Sequence, residues 1–591
     1  MSKTRKIVLG VTVVICAALI YALLLPPLVP LYLESLIAIH IFGLITVYAI
    51  NQFKEFSLDG VIVSLVATGK AMIIMLVIDI ILFLISWLPL VHWETRYNQL
   101  ANGNEANIET VEYQELIESI DTSQLPVIDE ETAKILAESK LGSDAALGSV
   151  FRIGDGSKID VGGTIYWIFQ LEHSGFFEWL SHQASPGYIS VNASNASDVE
   201  FHKGYNILYS PSSFFGHDTW RHVRFNGNLA NGLTEYTFEV NDDWEPLEVI
   251  TTYKNLTGWM TSEATGVTIN NPQTGEVLNY RLTEVPEWVD IVQPESFIED
   301  QIDNHGKYIH GIINPGNKDE TKKTKEMLSV YKDNDCYYFT GLTSMGKDEA
   351  LTGFTLVNTR TKKVFKVKMG GITETRAMDK AKDMWDDYGY YAIEPLPINI
   401  DGVATYAVPV KSKSSKVITG YSLVCIHDEN ISAKGESIKD AARAYSKKLS
   451  SVGVYAASDK AYKYDLTGVI IRIHSEIQAG DTYYSFVLSD DMTKIFTAGY
   501  PVSNELVVTE VGDEVTFTYV DDGNGTFTVV KFDNHEVSTI VSENQQNRDE
   551  ADAPANDDIE IPTVNPEENA EWWNSLTDEE RTEIMEQSSK E

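Results

Sequence analysis

Long apolar runs mark the start of the chain, at 7–25, about 36–50 and about 71–91, the third holding a single charged residue, Asp79. The first is nineteen residues long, enough to span a bilayer as a helix. A cleaved signal sequence would be followed by a soluble chain. Two further apolar runs follow instead, so the pattern predicts three transmembrane helices within 1–93. Lys3, Arg5 and Lys6 ahead of the first run predict a cytoplasmic N-terminus, with everything beyond Trp93 outside after three crossings. A linker is expected at 94–125.

From 126 to 455 the pattern changes to a helical apolar spacing interleaved with short strands rich in aromatic and β-branched residues. Four stretches share one shape. The first runs from the helix "PVIDEETAKILAESKLG" through "GGTIYWIFQLEHS" to "PGYISVNASNASDVEF". The second is "PLEVITTYK" with "TGVTINNPQTGEVLNY", and the third "DCYYFTGLTS" with "TGFTLVNTRTKKVFKV". The fourth joins the helix "ETRAMDKAKDMWDDYG" to "GVATYAVPVK" and "TGYSLVCIHDENISAKG". Gly187, Gly266, Gly353 and Gly420 each precede a hydrophobic residue in the later strand, at spacings of 79, 87 and 67 residues. Unequal spacing excludes a fixed-period solenoid and predicts a tandem of small α+β units with variable insertions.

The order of helix, aromatic strand, Gly-hydrophobic strand and N-P-x-T-G-E turn resembles the PepSY domain, best at 265–280 and 374–435. That resemblance implies small extracytoplasmic modules, associated with control or inhibition of peptidases, and carries no catalytic residues. "TFEVNDDWEPLEVITTYK" and "YRLTEVPEWVDIVQP" are also similar to segments of large bacterial membrane proteins.

Residues 462–536 read as five strands, with "DGNG" as a tight hairpin between the last two. The module resembles an OB-fold barrel, a type that binds single-stranded nucleic acid through aromatics on a basic groove. Tyr483, Tyr484, Phe486 and Phe496 supply aromatics, but within 464–535 Arg472, Lys494 and Lys531 face twelve acids. That balance argues against nucleic acid as a partner.

From 537 to 591 the composition is polar and acidic, with sixteen acids and three bases in 541–591, and predicts disorder. One island, "EWWNSLTDEERTEIMEQ", has the spacing of a short amphipathic helix with a capping box at Thr577 and Glu580. Trp572, Trp573, Leu576 and Ile584 are its candidate docking residues.

Charge sharpens this division. Residues 1–100 hold six Lys/Arg and five Asp/Glu, whereas the whole chain carries −40, so the acidity lies in the region after the helices. Within it, 318–368 carries eleven bases and seven acids, which reads as a solvated strand face with alternate lysines.

Candidate chemistry is sparse. Serine-hydrolase, zinc-protease, P-loop and dinucleotide signatures are absent. His40 and Asp79 lie at similar depths, about 15 and 12 Å from the inner ends of antiparallel spans at helical rise, and are expected to pair. Such a pair suits either proton sensing or partner binding, or a helix-packing contact; the latter is the more ordinary role. His217, Asp218 and His222, with His173 and His182 upstream, have spacings that suit neither one helix face nor alternate strand positions, so structural roles are expected. Cys336 and Cys425 fall in corresponding strands, as buried thiols or as a disulfide in an oxidising compartment. No metal or other cofactor is expected.

The sequence therefore predicts an all-α membrane domain, a tandem α+β PepSY-like ectodomain, a small all-β OB-like barrel and a disordered acidic tail. The expected function is a membrane-anchored structural or binding protein of the cell envelope, with a partner protein in the envelope and no catalytic site. Regulation of a membrane-associated peptidase, or an enzyme with an unrecognised site, are the alternatives.

Overall fold

In the computed structural model the described residues are 3–54, 58–117, 128–325, 327–332, 335–345, 350–385, 389–400, 402–414, 416–451, 463–478, 481–521 and 527–537. Three long helices open the chain: α1 (Lys3–Leu24), α2 (Leu33–Lys54) and α3 (Leu58–Trp87). Each contains a window apolar enough to cross a membrane: Ile7–Leu24, Leu33–Asn51 and Val66–Trp87. Their apolar side chains point outward, as lipid contact requires and water would penalise. A fourth helix, α4 (Pro89–Gln99), starts at a proline, which fixes the first turn of a new helix axis.

The rest of the described chain is largely β, with helices packed on the sheets. The first sheet is the meander Phe151–Val161, Thr164–His173, Ser185–Asn192 and Val199–Ile207, and the second is Gly232–Val240, Pro246–Thr257, Met260–Asn270 and Val277–Arg281. In the third sheet, Asp335–Ser344 pairs with Leu328–Lys332 and Thr321–Lys323 on one side, then Leu351–Asn358 and Val364–Gly371 follow. In the fourth, Val403–Ser412 pairs with Leu396–Ile400 and Tyr390–Ala392, then Ile418–Cys425 and Ser432–Gly435 follow.

Apolar alternation packs these sheets in two pairs. Ile159, Ile168 and Tyr188 of the first meet Phe238 and Val240 of the second. Phe339, Phe354 and Leu356 of the third meet Tyr406, Val408 and Val424 of the fourth, with Ala377 and Ala381 wedged between. Helices cover outer faces: Glu130–Gly142 lies on the first sheet through Ala133, Ala137 and Leu141. Glu295–Lys307 lies on the third through Ile298 and Ile302, and Ile438–Ser451 on the fourth through Ala441, Tyr445 and Leu449.

The four glycines occupy comparable positions. Strand register breaks at the residue before each one, at Pro186, Thr265, Thr352 and Thr419. A Cβ at Gly187, Gly266 or Gly353 would overlap the carbonyl of His202, Tyr280 or Val367 on the adjoining strand. At Gly420 it would come 2.5 Å from the Trp385 ring instead. Glycine here permits a close backbone approach at a bulge. The "NNPQTGE" turn is held by the Asn271 side chain, which accepts from the backbone N–H of Gln273 and Thr274.

The stretch expected as a linker is packed structure as far as Ile117. Ile108–Thr110 pairs in parallel with Val364–Gly371. Tyr113 is buried in the core of the third and fourth sheets and donates its hydroxyl to Ile398 O at 3.1 Å. An aromatic inside "VEYQEL" was enough to dock a segment expected as a linker.

The second sheet seats on the membrane helices. Tyr32 OH donates to Tyr253 O at 2.9 Å, Trp259 Nε1 to Pro30 O at 2.9 Å and Asn255 Nδ2 to Leu31 O at 2.9 Å. Gly258, with φ +66, lies against Ser86 at the end of α3 with no room for a Cβ. From α4, Gln99 Nε2 reaches Ser262 O at 2.6 Å and Glu263 Oε2 at 2.7 Å.

Strands Lys463–Gln478, Asp481–Leu488, Phe496–Gly499, Phe527–Asn534 and Glu514–Asp521 close a barrel in that order. Phe486 and Phe496 are fully buried and pack with Phe517 inside it. These aromatics fill the core, where they cannot stack on a nucleobase. The "DGNG" hairpin and the acidic tail, including Trp572, Trp573, Leu576 and Ile584, lie outside the described residues.

Candidate functional site: a cavity where four sheets meet

A partly enclosed cavity of about 260 Å³ is lined by all four sheets. The first contributes Lys158 and Trp167, the second Thr237 and Glu239, the third Leu328 and Ser329, and the fourth Leu396 and Pro409. Glu295, the first residue of its helix, Glu394 and Asp129, the last paired with Lys411 at 2.5 Å, complete the charged lining.

Local structure aims these groups. The register of the first strand pair slips between Ile153 and Gly156. The slip turns the following residues over relative to a regular strand. Beyond it Ile159 enters the core while its neighbour Lys158 faces the cavity. The Lys158 Nζ stands 5.9 Å from the ring centroids of both Trp167 and Tyr331. The Tyr331 hydroxyl donates to Lys158 O, tying the third sheet to this strand. On the second sheet Phe238 points into the shared core, so its neighbours Thr237 and Glu239 face the opposite way, into the cavity.

The electrostatics are unusual. Glu239 is 1% exposed; its Oε1 accepts from Thr237 Oγ1 at 2.6 Å, and its Oε2 has no partner. Burial, with repulsion from Asp290, pushes its carboxyl up to about 8, against hydrogen bonds from Thr237 and the Asp290 backbone. Burial, with repulsion from Glu299, pushes Glu295 up to about 7. Burial also pushes the Lys158 ammonium down, opposed by Cys336 and Glu394. Lys158 lies deep in the protein, yet its side chain is half-buried because it borders cavity space. Among the described residues no ion pair joins Lys158, Glu239 or Glu295 to a partner. Perturbed ionisable groups converging on a cavity at a domain junction are the physical signature of a binding or active site.

None of these cavity residues stood out in the sequence. The signal was faint: a charged residue set between strand positions that prove buried, as in "TFEV" and "GSKI". Alternation alone gives such a residue to solvent.

The residues that did stand out are dispersed. His40 Nε2 and Asp79 Oδ2 are 2.6 Å apart between α2 and α3, and His40 Nδ1 contacts Leu36 O at 2.7 Å. Asp218 caps the helix Thr219–Phe225 by accepting from Arg221 N at 2.7 Å. His222 Nε2 meets Gly275 O at 2.8 Å, and His173 Nε2 meets His182 O at 2.7 Å. Among the described residues no group of three or more His, Cys, Asp or Glu is arranged to hold a metal ion. Cys336 and Cys425 are buried free thiols, and their strands do not correspond: Cys336 lies in Asp335–Ser344, ahead of the strand with Gly353, whereas Cys425 ends the strand with Gly420 itself. In the basic stretch the lysines are paired as much as solvated: Lys323 with Glu299 at 2.7 Å, Lys363 with Glu109 at 2.8 Å and Lys362 with Glu263 at 2.5 Å.

The architecture defines a three-helix, membrane-type chain bearing a largely β region and a five-stranded barrel. No family model matches the chain, and no curated protein matches it. Among solved structures, yeast Stn1 and Ten1 align at 16% identity over 19% of this chain and 62% of that one, with a TM-score of 0.11. A levansucrase mutant of B. megaterium aligns at 11% identity over 73% of this chain and 97% of that one, with a TM-score of 0.17. An exo-1,5-alpha-L-arabinanase from a bovine ruminal metagenomic library aligns at 8% identity over 64% and 97%, with a TM-score of 0.14. Superpositions this loose carry no functional argument.

Proposed function

We propose that this chain is a multi-pass cell-membrane protein that binds a small polar ligand in the four-sheet cavity and does no catalysis itself. The observation that carries this reading is the Glu239 carboxyl, buried, facing the cavity and left with an unpartnered oxygen. An unmet buried polar atom costs about 1–3 kcal/mol, and a bound ligand offsets that cost. The test is thermal unfolding of the full-length protein in detergent against a collection of small acids, amines, zwitterions and sugars. At least one class should raise the midpoint by several degrees, and Ser329→Phe, which fills the cavity, should abolish the shift. No shift with any class, or an equal shift in the filled variant, removes the reading.

Three basic residues before the first span support a cytoplasmic N-terminus, with the β region outside. Protease added to intact cells should then digest the part beyond Trp93 and spare the N-terminus; protection of the large region would reverse the orientation. The shared register break and glycine support a further reading of the four sheets as copies of one PepSY-like unit. Relatives of this chain that lose the glycine and the register break independently in one sheet would remove that sheet from the set.

A further inference from the structure

Where the second sheet seats on the membrane helices, the fold buries a cation and leaves it without a counter-ion. Arg224, in the helix Thr219–Phe225, is 6% exposed. Its Nη1 donates to Asn228 O at 2.6 Å and Asn231 O at 2.5 Å. Its Nε is shielded from solvent and has no partner. Among the described residues no carboxylate lies at ion-pair distance from it. Burial pushes the guanidinium down, opposed by Tyr21 and Glu34 at longer range. A charge this buried is ordinarily paired.

Two cavities adjoin at this point. Arg224 lines one of about 220 Å³, with Glu34 and Trp220, beyond the end of α1 and the start of α2. The other, of about 280 Å³, lies between α1 and α2 and is lined mainly by apolar side chains such as Ala17, Ala38 and Phe42. Pro27 borders both. Tyr21 lines the apolar cavity; its hydroxyl is shielded and unpartnered, and its ring meets Phe225, the neighbour of Arg224, at 5.8 Å. The apolar cavity sits within the spans Ile7–Leu24 and Leu33–Asn51, at acyl-chain depth, and the charged one at their ends, at headgroup depth.

A soluble anion would occupy only the charged cavity, and a neutral lipid would leave Arg224 unpaired. A phospholipid meets both, since arginine pairs strongly with phosphate oxygens. Glu34 opposes an anion, but it is exposed, where water and salt screen it. We propose that Arg224 holds the phosphate diester of a phospholipid from the leaflet beside the β region, with one acyl chain in the groove between α1 and α2.

The experiment uses full-length protein, stripped of lipid in detergent and titrated with phosphatidylglycerol, phosphatidylethanolamine and diacylglycerol of the same chains. Native mass spectrometry counts bound lipid. Both phospholipids should bind, one per chain, about tenfold or more tighter than diacylglycerol. Arg224→Gln should erase that preference. Ala38→Phe, which fills the groove and leaves the Arg224 hydrogen bonds alone, should weaken both phospholipids, so the proposal stays testable if Arg224→Gln fails to fold. Glu34→Gln, which removes the repelling carboxylate, should bind phosphatidylglycerol at least as tightly as wild type. Diacylglycerol bound as tightly as the phospholipids, or a preference that survives in Arg224→Gln, overturns the phosphate assignment. Inorganic phosphate bound as tightly as phospholipid, or full binding in Ala38→Phe, overturns the groove.

Discussion

Glu263→Gln is expected to destabilise the full-length protein by about 3–5 kcal/mol, the usual cost of stripping one partner from a buried ion pair. Its partner Lys362 has a side chain only 1% exposed, with Nζ 2.5 Å from Glu263 Oε1. The turn that aims Lys362 is tightly specified, since Asn358 Oδ1 accepts from Arg360 N and Thr361 N, and Lys362 takes a φ of +61. The ammonium therefore cannot swing to water when its partner is neutralised. Burial already pushes Lys362 down, and the Glu263 charge is what opposes that. Glu263 also receives Gln99 from α4, so the pair ties the third sheet to the second beside the membrane helices. Thermal unfolding in detergent measures the loss. The double variant Glu263→Gln, Lys362→Met removes the stranded charge and should recover most of it. A single variant that melts like wild type would show that the pair bears little load.

Stability should fall as pH rises from about 5.5 to 8.5. Three buried carboxyls carry most of this effect, with Glu239 pushed up to about 8 and Glu248 and Asp290 to about 7, each chiefly by burial; half-buried Glu295, also pushed up to about 7, adds a smaller, solvent-screened share. Their unfolded values lie near 4. A raised acid pKa means the folded state holds the proton more tightly. Its stabilisation is complete below the unfolded value and is lost as pH climbs through 7 to 8. The three buried groups together make the decline on the order of several kcal/mol. Growing repulsion within a chain of net charge −40 acts in the same direction. Lys158, Lys362 and Lys366, pushed down by burial, oppose it at the alkaline end. His173, His202 and His305 are also pushed down by burial, so acid forces charge onto them and stability drops again below about pH 6. Midpoints measured across pH 5–9 should thus peak on the acid side of neutrality. Glu239→Gln and Glu248→Gln, which mimic the protonated acid, should each flatten the alkaline limb. A profile that rises toward pH 8.5 would show these carboxyls to be ionised in the folded state.

Glu248 shows how such a group is tolerated. Asn270 Nδ2 donates to it at 2.6 Å, Thr219 Oγ1 at 2.9 Å and Tyr236 OH at 3.0 Å. That carboxyl is fully partnered, which marks it as structural. Glu239, with one oxygen unmatched, is the contrasting case on the cavity wall.

Local chemistry made much of the architecture legible. Long, nearly uninterrupted apolarity fixed the three long helices, because no other element buries that much apolar surface with its backbone satisfied. Alternation and turn residues placed the five barrel strands, and "NNPQTGE" specified its own turn through Asn271. The His40–Asp79 contact could be read from depth alone, since two regular helices leave few degrees of freedom. The docking of 94–117 could not, because one buried aromatic, Tyr113, outweighed a polar surrounding only once two sheets had formed a slot for it. The cavity was the least legible feature. Its lining comes from strands far apart in sequence, and a slipped register between Ile153 and Gly156 decides which way Lys158 points. Whether a charge in a strand meets water or a closed space depends on what packs opposite. Composition and periodicity determine which segments become helix or strand and which must meet the membrane. Only the packing of four sheets against one another decides that Lys158, Glu239, Glu295 and Glu394 share one cavity, because burial is a property of neighbours and the chain alone does not choose them.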